Sequence, residues 1–453
     1  MRFIYLTMHT QLKKLIFTFT CTIAILYTSH SFAKTSLAAQ MQEKRAIHKI
    51  NAQEEKVGPY TLPDPLVNPI DGYKASNAFD WLERVRPGLV ESFEKLYSPR
   101  PPRPFAMRLE TLEKGEALEG KALREQIRIF LRGDTGEESY FDLLIYLPKN
   151  AQAPVPCFVN MNYYGNHTII NDPKVLVPDC FVPGGKLGSF TIKANKPNAD
   201  MRGLRAGRHP VENIINSGFA YLTFLYTQVY PDTPDAKINS QNICRIFSDK
   251  IYPHKRTAIS TWSWALSRVM DYIETNPKLD KDRVAVVGHS RHGKTALLTG
   301  ALDTRFAMAI SNGSGCMGAK LSRRNFGENI SWITSTFEHW FADELKKYVS
   351  AEDKMPVDQH QLLALLAPRP VYVESAKSDL WADPKGQISA LVAANKVYEL
   401  FGTSDLPTME NETIPFCGAT GYHMREGKHD LTEEDWKYFI KFAQKHFKTE
   451  PRK

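Results

Sequence analysis

Gly288-His-Ser-Arg-His-Gly293 sets one serine between two glycines. It follows the apolar run Arg283-Val-Ala-Val-Val and opens a helical stretch that continues to Leu302. A serine that attacks a carbonyl has to project from a tight strand-to-helix turn, whose close backbone approach requires small neighbours. The helix behind such a turn points its positive end at the serine and at the oxyanion formed on attack. Ser290 is therefore the candidate nucleophile, in a G-x-S-x-G arrangement lengthened by one residue.

A serine hydroxyl attacks poorly until a base takes its proton, so a histidine is required. His429, in Gly427-Lys-His-Asp430, stands in a loop shortly before the last helical stretch, where the base of such a fold belongs. His423 is its nearby rival. His289 and His292 flank the serine and are expected to point away, one into packing and one to solvent. The acid that orients the base should follow a strand between serine and histidine. Pro370-Val-Tyr-Val-Glu-Ser-Ala376 reads as that strand, and Asp379 is the first acid after it. Asp383 is expected to cap the helix that Pro384 starts. The oxyanion needs one N–H from the residue after the nucleophile, Arg291, and one from an earlier loop, for which the segment around Gly165 and Asn166 is the candidate.

The elements that must hold these groups alternate between apolar strands and amphipathic helices. Helical spacing runs from Trp81 to Tyr97, stopped by the prolines of 99–104, and again over Ile259–Glu274 and Glu433–His446. Extended segments are expected at Gln126–Leu131, Tyr140–Leu147, Val155–Asn160, Phe219–Tyr226, Arg283–Ser290, Phe306–Ser311 and Pro370–Ser375. Between Asp172 and Val211 a long Gly-, Pro- and Lys-rich stretch shows little periodicity. Buried strands alternating with helices specify an α/β chain with a mostly parallel central sheet and helices on both faces, a three-layer sandwich of the α/β-hydrolase fold.

Gly288-His-Ser-Arg-His-Gly-Lys-Thr-Ala-Leu297 resembles the nucleophile motif of the glucuronoyl esterases of carbohydrate esterase family 15, whose hallmark is G-C-S-R-x-G-K. The likeness continues in order through Ser314-Gly315, Leu321-Ser-Arg-Arg324, Phe326-Gly-Glu328, His339-Trp-Phe341 and Lys346-Lys-Tyr348. It extends through Pro356-Val-Asp-Gln-His360, Ala367-Pro-Arg-Pro370, Asp379-Leu-Trp-Ala-Asp-Pro384, Gly421-Tyr-His-Met-Arg425 and Lys428-His-Asp430, with bacterial members the nearest in pattern. The resemblance implies hydrolysis of esters of (4-O-methyl-)D-glucuronic acid in glucuronoxylan or lignin–carbohydrate complexes, through Ser290, His429 and Asp379. It further implies that the Arg291 side chain stabilises the oxyanion and that Lys294, Glu328 and Trp381 bind the sugar. Two departures stand out. Many relatives carry an acid in a Glu-Ser-Gly string where this chain has Gly313-Ser314-Gly315, leaving Asp379 to serve alone. Cysteines that flank the serine and histidine in the fungal motif are here His289 and Asp430. An acetylxylan esterase on the same fold and an inactive xylan-binding relative are the alternatives.

Lys13 and Lys14, an apolar run from Leu15 to Leu26 and Ser31-Phe32-Ala33 have the pattern of a secretory signal peptide cleaved after Ala33, which implies a secreted or periplasmic protein. The run is too short for a spanning helix. Residues 34–64 read as a leader and 65–453 as one catalytic domain with long insertions. The formal charge of +8 falls to about +5 without Arg2, Lys13 and Lys14, and its even spread argues against nucleic acid. Five cysteines survive cleavage, Cys157, Cys180, Cys244, Cys316 and Cys417, with no two at metal-ligand spacing. No metal or cofactor is expected, and the chain is expected to act as a monomer.

Overall fold

In the computed structural model, the described residues are 46–151, 154–404, the backbone of 413–414, and 418–448. The signal segment and Cys417 lie outside them. From Ala52 onward the chain forms one compact unit, which holds everything below.

Among the described residues twelve strands are formed: β1 (Ala106–Ala117), β2 (Ala122–Arg132), β3 (Glu138–Pro148), β4 (Val155–Asn162), β5 (Gly185–Leu187), β6 (Phe190–Ile192), β7 (Ala220–Leu225), β8 (Leu279–His289), β9 (Met308–Asn312), β10 (Val371–Ala376), β11 (Thr413–Ile414) and β12 (Thr420–Arg425). Ten of them make one sheet in the order β1-β2-β3-β7-β4-β8-β9-β10-β12-β11, while β5 and β6 pair separately within the 172–211 stretch. From β7 through β12 the neighbours are parallel; β1, β2 and β3 join antiparallel at one edge and β11 at the other. The α/β-hydrolase fold read from the sequence is thus the fold observed.

Five longer helices cover the sheet: α1 (Arg86–Tyr97), α2 (Ala258–Thr275), α3 (Arg291–Leu302), α4 (Pro384–Leu400) and α5 (Glu433–Phe447). Alternation along the parallel strands divides the core in two. Val284 and Val286 of β8, Ala309 of β9, and Val371 and Val373 of β10 face one cluster, shared with Leu89 and Phe93 of α1, Trp262 of α2, Leu297 of α3 and Leu391 of α4. Ala285, Val287, Ile310 and Tyr372 face the other, which is closed by Trp436 and Phe439 of α5 and by Ile214 and Ile215 of a short helix, Val211–Asn216. Each such large apolar side chain, fully buried, contributes about 1.5–3 kcal/mol. These two dry layers fix the sheet, and the strand ends in turn fix the loops that bear polar residues.

Five strands escape the sequence reading: the short β5, β6 and β11, and two longer members of the main sheet, β1 and β12. β1 is a polar edge strand, largely exposed from Leu109 to Thr111, without an apolar period. β12 is short and holds Gly421, His423 and Arg425, polar or small residues that read as loop until their buried partners are known.

Candidate functional site

The turn after β8 is as tight as its glycines imply. A Cβ on Gly288 would lie 1.9 Å from the His292 carbonyl oxygen, and one on Gly293 would lie 3.0 Å from the Gly288 oxygen. Ser290 between them takes φ +58° and ψ −125°, a strained conformation for a residue with a side chain. The turn is held by the Ser290 N–H donating to the Asn312 carbonyl at 2.8 Å and by the Gly293 N–H donating back to the Ser290 carbonyl at 2.8 Å. Ser290 therefore caps α3, with the unshared first-turn N–H groups of the helix beside it.

His429 Nδ1 donates to Asp379 Oδ2 at 2.6 Å, which leaves Nε2 as the free acceptor. The Asp379 side chain is buried, at 5% exposure, and its Oδ1 takes the Ala382 N–H at 3.3 Å; the imidazole is 39% exposed. This pair abuts the serine turn at Gly313, the residue after the carbonyl that holds the Ser290 N–H. A Cβ there would stand 3.3 Å from His429 Nδ1 and 3.6 Å from Asp379 Oδ2. The histidine–aspartate pair thus packs directly against this glycine. Asp383 caps α4, accepting from the Gly386 N–H at 3.0 Å.

The other histidines fall elsewhere. His423 is buried in β12, donating through Nε2 to Asp435 at 3.0 Å and stacked on Tyr438. Both His289 and His292 are buried, so the expectation that one would face solvent is corrected. His289 Nδ1 donates to Asn312 Oδ1 at 2.5 Å, and its ring lies 4.6 Å from the His429 ring. His292 donates to the Met161 carbonyl at 3.1 Å and stacks on Tyr163 at 4.1 Å. Burial pushes the imidazolium pKa of each well below the usual range; for His289 the neighbouring His429 and Arg208 add to this, and for His292 Arg291 does. Both side chains stay neutral packing groups at neutral pH.

The loop after β4 reaches the turn through Tyr163, whose hydroxyl donates to the His289 carbonyl at 2.7 Å. Within that loop the Gly165 N–H is taken by Asn162 Oδ1 at 2.9 Å, and Asn166 Nδ2 by the Asp142 carbonyl. An oxyanion donor from this loop would have to be another of its amides.

Arg291 projects from the first turn of α3, its side chain 25% exposed, and pairs with Asp232. Its guanidinium carbon lies 4.7 Å from the Trp340 ring centre and 5.4 Å from that of Phe337. Asp232 also accepts from Trp340 Nε1 at 2.7 Å, His339 Nε2 at 2.8 Å and the Tyr226 hydroxyl at 2.9 Å. Burial alone would favour its protonation, but the charge of Arg291 and the bonds from His339 and Trp340 prevail and hold the carboxyl well below the usual range. Sequence reasoning missed Asp232. It is 59 positions from its partner, and no local pattern marks Tyr230-Pro-Asp232.

Lys294 lies one turn further along α3, buried. Its ammonium donates to the Ser314 carbonyl at 2.7 Å, the Cys316 carbonyl at 2.6 Å and Glu328 Oε2 at 2.9 Å, its full complement of three. Glu328 Oε2 also takes the Cys316 N–H at 3.2 Å; Oε1 carries neither bond. The Glu328 N–H donates to the Trp381 carbonyl at 2.8 Å, which stitches the two loops together. Trp381 is half-buried, edge-on to Trp332 at 5.1 Å. Trp381 and Asp379 share one short loop, which places the sugar-ligand candidates beside the histidine's acid.

Among the described residues, Glu374, His423 and Asp435 are the group whose ligand atoms converge closely enough for a metal. Arg425 donates into it, with Nε 3.0 and 3.1 Å from the Asp435 oxygens and 3.4 Å from Glu374, so a guanidinium stands where a cation would. Cys157, Cys180, Cys244 and Cys316 are free thiols.

The sequence model of the family described as "Glucuronyl esterase, fungi" matches residues 182–402. Carbohydrate esterase MZ0003, from an unknown prokaryotic organism, is 42% identical over 405 residues, covering 87% of this chain and 92% of that protein. The structure of the glucuronoyl esterase from Solibacter usitatus superposes with a TM-score of 0.77 at 36% identity, over 86% of this chain and 99% of that one. The family 15 glucuronoyl esterase from Teredinibacter turnerae superposes with a TM-score of 0.72 at 30% identity, over 88% and 92%. With this fold and these relatives, the chain is a carboxylic ester hydrolase belonging to the glucuronoyl esterases of carbohydrate esterase family 15.

Proposed function

We propose that Ser290, His429 and Asp379 form a catalytic triad that hydrolyses esters of (4-O-methyl-)D-glucuronic acid through an acyl-enzyme. His429 Nε2 takes the Ser290 proton as the oxygen attacks the ester carbonyl, and returns it to the departing alcohol. Asp379 holds the imidazole in the required tautomer and balances the charge it gains. Water then enters and attacks the acyl carbonyl as the same nitrogen takes its proton; the Ser290–acyl bond breaks, the proton passes to Ser290 Oγ and glucuronate leaves. The Arg291 N–H and guanidinium face the developing oxyanion, where preorganised donors contribute most to the barrier. The observation that carries this reading is the 2.6 Å His429–Asp379 bond at Gly313, one residue past the carbonyl that ties down Ser290.

Glu328 Oε1 is the acceptor offered to a sugar hydroxyl, and Trp381 the apolar plate for a pyranose face. Lys294 acts by fixing Glu328, because its three donors are already used. The substrate is the uronate ester of glucuronoxylan or of a lignin–carbohydrate link. The N-terminal signal pattern supports export; no described helix is long and apolar enough to cross a membrane.

The test compares benzyl glucuronate with a simple acetyl ester, using purified protein and an Asp379→Asn variant. Fast glucuronate turnover that is lost in the variant supports substrate and acid together. Acetyl release without glucuronate release would overturn the substrate assignment.

A further inference from the structure

The proposed base sits on a stretch that packing alone cannot hold. Residues 426–429, between β12 and the segment leading to α5, are four consecutive exposed positions, and Gly427 within them takes φ +101°. A base must nevertheless stay within a fraction of an ångström of its productive position. The polar ties of this loop converge on one side chain. Arg425, the last residue of β12, is buried beneath it; Nη1 donates to the Glu426 carbonyl at 3.0 Å, while Nη2 donates to the Lys428 carbonyl at 3.0 Å and the Asp430 carbonyl at 2.6 Å. The last two oxygens lie on either side of His429, and the Lys428 carbonyl belongs to the peptide group that enters it.

The guanidinium is itself anchored. Its Nε donates to both Asp435 oxygens at 3.0 and 3.1 Å. Asp435 is fixed in turn by the capping box of α5, accepting from the Thr432 N–H at 2.7 Å, and by His423 at 3.0 Å. Outside, the loop has further ties: the Ser378 N–H donates to the Gly427 carbonyl at 2.9 Å, Lys377 Nζ donates to Glu426 at 3.1 Å, Arg208 pairs with Asp430 at 2.5 Å, and His429 itself bonds Asp379 at 2.6 Å. We infer that Arg425 is a positioning residue for catalysis, setting the place of His429 by bonding the carbonyls around it from a rigid seat on α5. The inference rests on the reading of His429 as the base. A planar, five-donor guanidinium can join three carbonyls and a carboxylate at once, whereas a lysine ammonium has three donors and no fork. This gives a reason for burying a charged side chain at a strand end.

The test uses Arg425→Lys, which keeps the charge and loses the fork, and Asp435→Asn, which keeps Arg425 and loosens its seat. Both are assayed on benzyl glucuronate beside His429→Ala. Rates are expressed per serine titrated to completion with a fluorophosphonate, which removes any contribution from misfolded protein. Arg425→Lys is expected to lower kcat per titrated site by about 10- to 100-fold with KM within about twofold, as for a base held slightly out of place. Asp435→Asn should move kcat in the same direction by less. A per-site kcat of Arg425→Lys within about twofold of wild type overturns the inference, as does activity loss accounted for wholly by fewer titrated sites. Should Arg425→Lys fail to fold, a wild-type per-site kcat in Asp435→Asn overturns it. Full activity in His429→Ala would defeat the reading of the base itself; its inactivity beside active Arg425 variants would defeat only the positioning role.

Discussion

Gly313→Ala separates backbone strain from crowding of the proposed base. Gly313 takes φ +53°, which costs an alanine about 1–2 kcal/mol. The added methyl would also stand 3.3 Å from His429 Nδ1 and 3.4 Å from Cε1, closer than carbon normally approaches, so the ring must shift by a few tenths of an ångström. That shift falls on the 2.6 Å bond to Asp379. The loss of alignment is expected to raise the barrier by about 1.4 kcal/mol, a roughly tenfold fall in kcat. The control is Gly402→Ala. Gly402 has φ +65° and nothing within 4 Å of its would-be Cβ, so it carries the backbone cost without the crowding. Unfolding entropy of ~2.1 cal/mol/K per residue over roughly 400 residues converts 1–2 kcal/mol into a Tm loss of about 1–2 °C for either variant. The assay pairs kcat on a glucuronate ester, per titrated serine, with thermal unfolding. Equal Tm losses with a fall in kcat only at position 313 are expected. Wild-type kcat in Gly313→Ala, or the same kcat loss in Gly402→Ala, would refute the reasoning. Gly313→Glu, with the same backbone cost and a larger side chain against His429, is expected to lower kcat at least as far in the same assay.

Asp232→Asn should leave Arg291 without its counter-charge and free to swing, lowering kcat about 10- to 100-fold with a smaller change in KM; unchanged kcat would remove Asp232 from any account of the site. Stability should fall on acidification. Burial pushes His167 down to about 4, His209 to about 3 and His446 to about 4, with His289 and His292 also well below the usual value. Unfolded histidines take protons near pH 6.5, so below that pH the unfolded state binds more protons. Each such group then costs up to about 1.4 kcal/mol per pH unit until its folded value is reached. Glu374, which burial and then the nearby Asp435 push well above the usual range, contributes the opposite slope above its unfolded value, as do the burial-raised Glu94, Glu352 and Asp383, but these four carboxyls stand against six histidines, burial lowering His360 as well. A Tm at pH 5 equal to or above that at pH 7 would contradict this.

What could be read from the sequence is what is encoded locally. The serine turn shows itself because Gly288 and Gly293 meet the backbone of their own turn, so a few adjacent residues carry the whole constraint. His429 and Asp379, which the fold brings within 2.6 Å, were chosen from their places, one before a helix and the other after a strand. The rest depends on contacts between distant segments. Arg291 is a solvated helix residue by pattern until Asp232 arrives from 59 positions away, and Lys294 becomes a structural tie only beside Ser314, Cys316 and Glu328. β12 was invisible because His423 and Arg425 break its apolar run, and their burial is met by partners distant in sequence, Asp435 on α5 for both and Tyr372 for His423. Of His289 and His292 one was expected to face solvent, yet both are buried; His292 stacks on Tyr163, and no spacing announces that contact.

The most direct measurement is the kcat of Ser290→Ala on benzyl glucuronate, with folding checked by circular dichroism. A loss of ~10⁴-fold or more is expected for a nucleophile whose removal leaves only binding and oxyanion contacts. Retention of more than about a tenth of wild-type turnover would contradict Ser290 as the attacking group, and with it the acyl-enzyme route.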